Sequence, residues 1–581
     1  MPAVASYGLT GNAYIDGVLG GYKWATTSFT FSFPTSGSYY GSSYGSGENV
    51  TNFGAFNTAQ QAVTRDALKM YASVANLSFA EVGETSTQHA DLRFALSDKP
   101  GTAWAYFPST SAEGGDAWFN KSGGSYAQPV KGNYAYMTFV HEIGHALGLE
   151  HPHESGMPAD RDSVEYTVMS YRSYTGASTT SGYVNETWGY AQSPMMYDIA
   201  ALQHMYGANY ATNSSDTVYS WSPTSGEMFL NGVGQGAPGG NKILRTVWDG
   251  GGNDTYDFSN YASNLKVDLR PGEWTTTAAT QLVKLHWDGS KVAVGNIANA
   301  LQYNGDTRSL IENAVGGSGN DTITGNDAAN SLKGGAGNDR LFGGTGNDAL
   351  DGGIGDDTAV FSGARAYYSI SKLSDGSVQV ADLRSGTPDG SDVVWGAEWF
   401  QFVDKIYTLA ELETNAVTAT ATPIEPVPQN LSLNGTNSGN SLYGQGGDDK
   451  LYGRGGNDKL YGSAGNDLLV GGTEKDVLFG GAGADVFDFN SRKDSLKTAR
   501  DTIKDFVRGV DHIDLSTIDA NSLVSGNQAF SFIGSKAFSG HAGQLKFSSG
   551  VLSGDINGDK MSDFEINVSG VSALAKGDFY L

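Results

Sequence analysis

The spacing of apolar residues changes along the chain. From Asn57 to about Val74, apolar residues recur every three to four positions, which predicts an amphipathic helix with Asn57 or Thr58 as its cap. The segments LSFAEV and ADLRFAL then alternate polar and apolar residues, as half-buried strands do. From Gly316 onward the period lengthens to nine residues. These patterns predict an α+β N-terminal region followed by an all-β region.

Two glycine-rich arrays keep the nine-residue period. The first runs from Gly316 to Val360 in five units, and the second runs from Gly435 to Asp488 in six. Their pattern, G-G-x-G-x-D-x-U-x with U apolar, is typical of a calcium-binding parallel β-roll. A flexible Gly/Asp linker is the alternative, but a linker has no reason to keep large apolar residues in phase. Those residues are Ile323, Leu332, Leu341, Leu350, Leu442, Leu451, Leu460, Leu469, Leu478 and Phe487.

The turns of these arrays are predicted to bind Ca²⁺, because oxygen-only loops suit its six to eight ligands. The carboxylates at the sixth position of each unit are expected to point at the metal, and loop glycines are expected to offer backbone oxygens. The carboxylates are Asp321, Asp339, Asp348, Asp357, Asp449, Asp458, Asp467, Asp476 and Asp485. The glycines are Gly317, Gly319, Gly334, Gly335, Gly337, Gly343, Gly344 and Gly346. Asn330, Asn440 and Glu474 depart from the pattern, which counts against calcium binding at their turns.

The stretch HEIGHALGLEH contains the spacing H-E-x-x-H-x-x-G-x-x-H. On a helix, His141 and His145 lie on one face, with Glu142 beside them. Gly148 allows the chain to leave the helix with a positive φ, so that His151 can return as a third ligand. Three protein ligands leave Zn²⁺ one open position, which is typical of a catalytic site. The motif therefore predicts one catalytic Zn²⁺ bound by His141, His145 and His151, with Glu142 as the general base.

Downstream, the segment YTVMSY places Met169 and Tyr171 two residues apart. HEIGHALGLEHP and VMSY together resemble the serralysin branch of the metzincin metalloproteases. The segments GGDAWFN, SPMMYDIAALQHMYGAN, WDGGGNDTYDFS and IENAVGGSGNDTITGN resemble the same family. The resemblance implies that Met169 packs beneath the zinc in a Met-turn and that Tyr171 hydrogen-bonds the oxyanion. It also implies an active-site helix from about Asn133 to Leu147.

The resemblance implies further calcium ligands ahead of the first array, at Asp249, Gly251, Asp254 and Glu312. The C-terminal stretch DTIKDFVRGVDHIDLSTIDA and the final GDFYL resemble a serralysin secretion domain and the signal that type I ABC exporters recognise. A periplasmic proteinaceous inhibitor is a further partner that the resemblance implies. The N-terminal MPAVASYGLTGNAY has neither a basic region nor an apolar core, so we expect no N-terminal secretion signal.

Composition narrows the possible partners. The formal net charge of −26 argues against nucleic acid and anionic membranes as partners, because polyanions repel such a surface. The chain has no cysteine, so no disulfide stabilises it, and no apolar stretch is long enough to span a bilayer. Core packing and bound metal must therefore supply its stability.

The predicted fold class is an α+β metzincin zinc protease domain followed by all-β parallel β-roll domains, with two calcium-binding rolls separated by a β-rich insert. The expected boundaries are 1–220 for the protease domain and 221–360 for a β-rich bridge and the first roll. A β-rich insert module at 361–414 follows, with a hairpin around Asp375-Gly376, then a Pro/Thr linker at 415–430. The second roll and the secretion domain occupy 431–581. The insert is either a spacer or a docking element.

Together these features predict a secreted, monomeric, calcium-stabilised zinc metalloendopeptidase that hydrolyses extracellular proteins or peptides with broad specificity. The strand-like region from Gly101 to Asn120 is the expected substrate edge, because main-chain pairing suits many sequences. Two alternatives remain open. One is a dedicated processing protease for a single surface or exported partner. The other is a calcium-dependent surface-binding protein whose protease domain is vestigial.

Overall fold

The computed structural model describes residues 2–41, 44–384, 388–414, 430–437, 439–444 and 447–581. The chain divides into two compact units, Met1–Ala416 and Val417–Leu581. The predicted linker at 415–430 lies, except for its last residue, outside the described residues. The domain boundaries therefore stay a prediction, although the division between the units falls within that linker.

The N-terminal part of the first unit is built on a mostly parallel sheet. Its edge strand Ala103–Ala105 runs antiparallel to Ala117–Asn120, whereas the other neighbours are parallel. The strands, in spatial order, are Ser78–Glu81, Ser28–Ser32, Leu92–Ser97, Ala117–Asn120 and Ala103–Ala105. A separate antiparallel pair joins Val4–Ser6 to Tyr22–Trp24.

The helices of this part follow the predicted caps. Thr58–Val74 begins after Asn57, whose side chain accepts the Gln60 N–H in a capping box. Tyr134–Ala146 begins after Asn133, whose side chain accepts the Tyr136 N–H. The α-helices are Ala13–Asp16, Thr58–Val74, Tyr134–Ala146, Pro152–Ser155, Met196–Tyr206 and Leu409–Thr414, and the 3₁₀ turns are Gly37–Tyr40, Tyr303–Gly305, Thr307–Ser309, Arg365–Tyr367 and Lys576–Asp578. In the part of the chain that the structure describes, no helix has the length and apolar character of a bilayer span.

One hydrophobic core joins the N-terminal sheet and helices to the predicted bridge. It contains Phe139 and Ile143 from the Tyr134–Ala146 helix together with Leu244, Trp274 and Leu285 from the bridge. The predicted boundary near residue 220 therefore crosses a continuous core. The bridge contributes a small sheet of Arg245–Val247, Ile297–Asn299 and Trp274–Thr275.

The first array winds into a parallel roll whose strands alternate between two sheets. Ser331–Ala336 pairs with Ala349–Ile354, and Thr322–Thr324 pairs with Arg340–Phe342, so each strand meets the strand 18 residues later. The eighth-position residues Leu332, Leu341 and Leu350 are at most 1% exposed and belong to one core cluster. The predicted fold class, an α+β region followed by all-β rolls, is confirmed.

The strands of the two sheets follow, in spatial order. One sheet contains Val233–Gly234, Met228–Leu230, Val218–Trp221, Thr255–Asp257, Asn313–Val315, Ser331–Ala336, Ala349–Ile354, Ser391–Trp395, Val378–Asp382 and Tyr368–Lys372. The other contains Lys266–Asp268, Thr322–Thr324, Arg340–Phe342, Thr358–Val360, Trp399–Gln401 and Ile406–Thr408. The predicted hairpin is present as Tyr368–Lys372 paired with Val378–Asp382. The segment 361–414 thus extends both sheets of the first roll and shares its core.

The second unit is another roll with an all-β C-terminal cap. One sheet contains Ser432–Asn434, Lys450–Gly455, Leu468–Thr473, Val486–Asp488, His512–Asp514 and Phe579–Tyr580. The other contains Ser441–Tyr443, Lys459–Ala464, Val477–Ala482, Thr502–Ile503, Phe564–Val568, Val551–Asp555, Gln544–Ser548 and Ser531–Phe532. Leu451, Leu460, Leu469 and Leu478 are fully buried between them.

Candidate metal centres

Three histidines converge at the C-terminal end of the Tyr134–Ala146 helix. His141 and His145 lie one turn apart on it, and His151 returns after the turn at Gly148, which adopts a φ of +106° as expected. A Cβ at Gly148 would lie 2.6 Å from the Tyr22 carbonyl oxygen, so glycine is required there on steric grounds as well. The three Nε2 atoms lie 2.8, 3.1 and 3.2 Å apart.

Hydrogen bonds at the opposite ring nitrogens orient these side chains. Nδ1 of His141 lies 2.8 Å from the Val168 carbonyl oxygen, and Nδ1 of His145 lies 2.8 Å from that of Leu149. Because a carbonyl can only accept, each Nδ1 carries the proton and each Nε2 presents a lone pair. Nδ1 of His151 lies 3.3 Å from Oε2 of Glu154.

The electrostatics of the cluster favour neutral imidazoles. Burial, together with the neighbouring His151, lowers the pKa of His141 to about 3. Burial likewise lowers the pKa of His145 well below its usual range. Three neutral nitrogen donors that point at one spot fit Zn²⁺, which binds imidazole in tetrahedral sites. The donor set also leaves one coordination position without a protein ligand.

Glu142 is 5% exposed and lies beside this cluster. Its Oε2 atom is buried and, among the residues described, has no hydrogen-bond partner. Burial raises the pKa of Glu142 to about 8. A carboxylate in this position is poised to hold a proton close to the open metal position.

Met169 and Tyr171 lie on the segment that passes under and beside the histidines. Met169 is fully buried, and its Sδ lies 2.7 Å from where a Gly144 Cβ would be. The Tyr171 ring is 37% exposed, with its centroid 4.3 Å from that of His151 and 5.8 Å from that of His141. Both side chains therefore lie close to the histidine cluster and its helix, and their roles stay predictions.

A buried aspartate that sequence reasoning missed holds this segment. Oδ2 of Asp198, on the Met196–Tyr206 helix, accepts the N–H groups of Val168 and Met195, each at 2.8 Å. Asp198 is fully buried, and a polar residue in the apolar run SPMMYDIAALQ was the available signal. It fixes the backbone whose Val168 carbonyl orients His141.

A cleft of about 490 Å³ opens beside the histidines. His141, Glu142 and Tyr171 line one side, and Thr102 and Ala103 at the sheet edge line another. Its remaining wall consists of Tyr134, Met137, Thr138, Thr179, Gly182, Tyr183 and Tyr190. The wall tyrosines have no sequence periodicity that would have identified them, because they come from two separate segments.

The predicted calcium carboxylates form a ladder in each roll. In the first, the Asp321 N–H donates to Oδ1 of Asp339 at 2.7 Å, and the Asp339 N–H donates to Oδ1 of Asp357 at 2.8 Å. The Asn330 N–H donates to Oδ1 of Asp348 at 2.8 Å. The second roll repeats the arrangement, with Asp449 donating to Asp467 at 2.8 Å.

In most carboxylates of the ladders, the second oxygen, Oδ2, accepts no hydrogen bond from the described residues. Oδ2 is buried and lacks a hydrogen-bond partner within the described part of the chain at Asp339, Asp348, Asp357, Asp449, Asp458, Asp467, Asp476 and Asp485. Asp321 differs, because its Oδ2 accepts the Gly317 N–H at 2.7 Å. Burial raises the pKa of Asp467 and of Asp476 to about 7. Unpartnered carboxylate oxygens in glycine-rich loops fit a hard cation with oxygen ligands.

The ligands predicted ahead of the first array also lie together. The Asp254 N–H donates to Oε2 of Glu312 at 2.7 Å, and Oδ2 of Asp254 is buried with no hydrogen-bond partner in the described chain. Asp249 accepts the Gly251 N–H at 2.7 Å and the Tyr219 hydroxyl at 2.6 Å. Burial and the neighbouring Asp249 raise the pKa of Asp254 above its usual range.

Comparison with known families decides the classification. The family described as Peptidase M10 serralysin C terminal matches residues 208–420 and 443–581, and the family described as Matrixin matches residues 49–172. The chain belongs to the serralysin family. The resemblance seen in the active-site motifs is confirmed.

Individual relatives agree with this placement. Metallopeptidase AprA of Pseudomonas marginalis is 36% identical over 320 residues, which cover 52% of this chain and 61% of the relative. Serralysin of Photorhabdus laumondii subsp. laumondii is 35% identical over 303 residues, which cover 49% and 57%. The chain thus matches little more than half the length of these curated relatives. A solved structure of the AlgE6R3 subunit from the Azotobacter vinelandii mannuronan C5-epimerase is 29% identical over 27% of this chain and 84% of its own, with a TM-score of 0.20.

The irregular turns of this serralysin-family chain keep the roll geometry. Asn330 replaces a carboxylate, yet its Oδ1 accepts the Asn326 N–H at 2.7 Å. Glu474 stands where the pattern has glycine and adopts a φ of +82°, a strained value for a residue with a Cβ. Backbone pairing therefore tolerates these substitutions. Asn330 removes one negative charge from its turn, and Glu474 adds backbone strain to its own.

Proposed function

We propose that the protein is a zinc-dependent endopeptidase whose rolls are stabilised by Ca²⁺. The observation that carries the proposal is the convergence of three neutral histidine Nε2 atoms beside the buried carboxylate of Glu142, whose Oε2 has no hydrogen-bond partner among the described residues. His141, His145 and His151 would hold the metal. When bound there, zinc would act as a Lewis acid that polarises the scissile carbonyl and lowers the pKa of the attacking water.

Two side chains beside the histidines act on the reacting groups: Glu142 transfers the proton, and Tyr171 donates a hydrogen bond. Glu142 accepts the proton of the attacking water and then returns it to the leaving amine, a task suited to its raised pKa. Tyr171 donates a hydrogen bond to the oxyanion that forms at the carbonyl, since its ring lies next to those of His151 and His153.

The sheet edge supports binding of an extended peptide. Ala103–Ala105 is an edge strand, and Thr102 and Ala103 line the cleft together with Glu142. An extended substrate would add to this edge through backbone hydrogen bonds. Because backbone pairing depends little on the substrate's side chains, it supports broad specificity for protein or peptide substrates.

The carboxylate ladders support an extracellular site of action. Millimolar calcium outside the cell would fill them, whereas calcium-poor cytosol would leave many buried carboxylates uncompensated. Export by a type I ABC system and binding of a periplasmic inhibitor stay predictions from the resemblance.

Hydrolysis of casein by the purified protein tests the proposal. We expect cleavage that a zinc chelator abolishes and that added Zn²⁺ restores. Loss of cleavage on calcium removal alone would not distinguish the zinc site from unfolding of the rolls, so the chelator must be zinc-selective. A protein that cleaves equally well after complete zinc removal would contradict the proposal.

We expect Tyr171→Phe to lower kcat about a hundredfold with little change in KM, because the hydroxyl acts on the transition state and not on the bound peptide. Steady-state kinetics on a fluorogenic peptide measure both constants. Tyr174→Phe, on the same segment but outside the cleft, is the matched control and should leave both unchanged. A raised KM with normal kcat in Tyr171→Phe would move the residue from catalysis to substrate binding.

A further inference from the structure

The first roll does not end with its last recognisable nonapeptide at Val360. Ser391–Trp395 adds to the sheet beside Ala349–Ile354, with Val393 and Val394 opposite Ala349 and Leu350. Trp399–Gln401 adds to the other sheet beside Thr358–Val360. Both additions are parallel, and Val394 and Phe400 are at most 2% exposed at the core position of a repeat. Two further turns of the roll, here called rungs, therefore follow the first array after an insertion. One contains Ser391–Trp395, and the other contains Trp399–Gln401.

Asp392 occupies the carboxylate position of the first additional rung. The Asp348 N–H donates to Oδ1 of Asp392 at 2.9 Å, and the Val393 N–H donates to the Asp348 carbonyl at 2.8 Å. The same reciprocal pair joins regular units: the Asn330 N–H donates to Asp348, and the Ala349 N–H donates to the Asn330 carbonyl, both at 2.8 Å. The separation is 44 residues in place of 18, which hides the rung from a search for a fixed period.

Glu398 occupies the same position in the second additional rung. The Asp357 N–H donates to Oε2 of Glu398 at 2.8 Å, and the Trp399 N–H donates to the Asp357 carbonyl at 3.0 Å. A glutamate has this role at the other end of the roll, where the Asp254 N–H donates to Oε2 of Glu312 at 2.7 Å. The longer side chain thus substitutes for aspartate at both ends of the ladder.

The backbone around these residues also stacks as in the repeats. Gly390 has a φ of +76°, and a Cβ there would lie 1.6 Å from the Gly346 carbonyl oxygen. The equivalent distance from Gly355 to the Gly337 carbonyl oxygen is 1.7 Å. A side chain at either position would collide with the backbone of the preceding loop, so both loops stack with the closeness that only glycine permits.

The carboxylates beneath the additional rungs have oxygens without partners. Oδ2 of Asp348 and Oδ2 of Asp357 are buried and accept no hydrogen bond from any described residue. Asp348 is 2% exposed and Asp357 is fully buried. Buried carboxylate oxygens without a hydrogen-bond donor among the described residues therefore lie next to both additional rungs.

Two nearby aspartates, Asp382 and Asp389, already share a cationic partner in the protein. Arg384 forms ion pairs with Asp382 at 2.7 Å and with Asp389 at 3.4 Å. Asp389 also accepts the Ser362 N–H at 2.7 Å. Among the described residues, no lysine or arginine forms an ion pair with Asp348, Asp392, Asp357 or Glu398.

We propose that Asp392 and Glu398 complete two further Ca²⁺ sites that close the first roll, one with Asp348 and the other with Asp357. The inference rests on the proposed calcium binding of the rolls. Carbonyl oxygens of the glycine loops would supply the remaining ligands, as Ca²⁺ with its six to eight oxygens requires. The hairpin Tyr368–Lys372 and Val378–Asp382 lies between the last regular unit and these rungs in sequence, so calcium would also fix the inserted hairpin to the roll.

The test uses full-length protein carrying Asp392→Asn or Glu398→Gln. Each substitution keeps the oxygen that accepts the ladder N–H and removes only the charge, so a purely structural role predicts no change in calcium content. We expect each variant to bind about one calcium ion fewer than the wild type, and the double variant about two fewer. Equilibrium dialysis at a free calcium concentration that saturates the wild type, with metal analysis, measures the number.

Asp356→Asn is the matched control, because Asp356 is exposed and lies one residue before Asp357. It should bind as much calcium as the wild type. Hydrogen exchange gives a second readout: calcium should slow exchange of the 378–382 amides in the wild type and the control, and not in Asp392→Asn. Near-UV circular dichroism checks that each variant is folded. If Asp392→Asn is poorly folded, Asp392→Glu replaces it in the test: it keeps a carboxylate and should bind as much calcium as the wild type.

Unchanged calcium content in both variants would overturn the inference, as would an equal loss in Asp356→Asn. If the wild type binds calcium and both variants bind the same amount, only the two additional sites are refuted, and the proposed calcium role of the regular repeats remains. A wild type that binds no calcium would overturn both proposals.

Discussion

Glu142→Gln is expected to abolish proteolysis while leaving the zinc in place. The amide cannot accept the proton of the attacking water, and general-base catalysis of this kind contributes about 10²- to 10⁴-fold to the rate. The three histidines are untouched, and their orientation depends on the carbonyls of Val168 and Leu149 and on Glu154. We therefore expect kcat to fall by at least about a hundredfold with normal zinc content.

Peptide hydrolysis and metal analysis of the same preparation check this expectation together. Glu113→Gln changes a glutamate that does not line the cleft, and it should retain wild-type kcat. If Glu142→Gln lost its zinc, the loss of activity could come from the missing metal. The test would then use Glu142→Asp in place of Glu142→Gln. A variant with bound zinc and more than about a hundredth of wild-type kcat would refute the role of Glu142 as the base.

Calcium is expected to raise the melting temperature of the rolls by about 10–20 °C. A site at a hundred times its Kd adds about 2.7 kcal/mol by mass action, and each kcal/mol moves Tm by about 2–4 °C in a unit of this size. Two such sites are enough for the stated shift, and the described part of the second unit alone presents six aspartates with a buried, unpartnered Oδ2. Calorimetry of the full-length protein in calcium and in chelator measures the difference.

Magnesium should not replace calcium, because it is smaller and demands a near-ideal octahedron. Asp467→Asn should lower the calcium-dependent gain in Tm, since Asp467 lies in the middle of the second ladder. Asp448→Asn is the matched control: Asp448 is exposed, and an asparagine still offers an oxygen to the Asn466 N–H. A Tm that is equal in calcium and chelator would contradict calcium binding by the rolls.

Short-range patterns determined much of this protein. The spacing H-E-x-x-H-x-x-G-x-x-H brings His141, His145 and His151 together because a helical turn and one glycine bend control their positions. The nine-residue phase likewise predicts which leucines are buried, since each strand has the same environment as the strand 18 residues later. Helix caps such as Asn57 are local for the same reason.

Only the tertiary structure decided what depends on contacts between distant segments. Asp198 holds the backbone at Val168 across 30 residues, and the cleft wall joins Tyr134 to Tyr183 and Tyr190, without any fixed spacing. Asp392 and Glu398 join the ladder only after an inserted hairpin, so no period could reveal them. The physical reason is that periodic elements repeat one local environment, whereas insertions and cleft walls are set by chain segments that meet only in the folded protein.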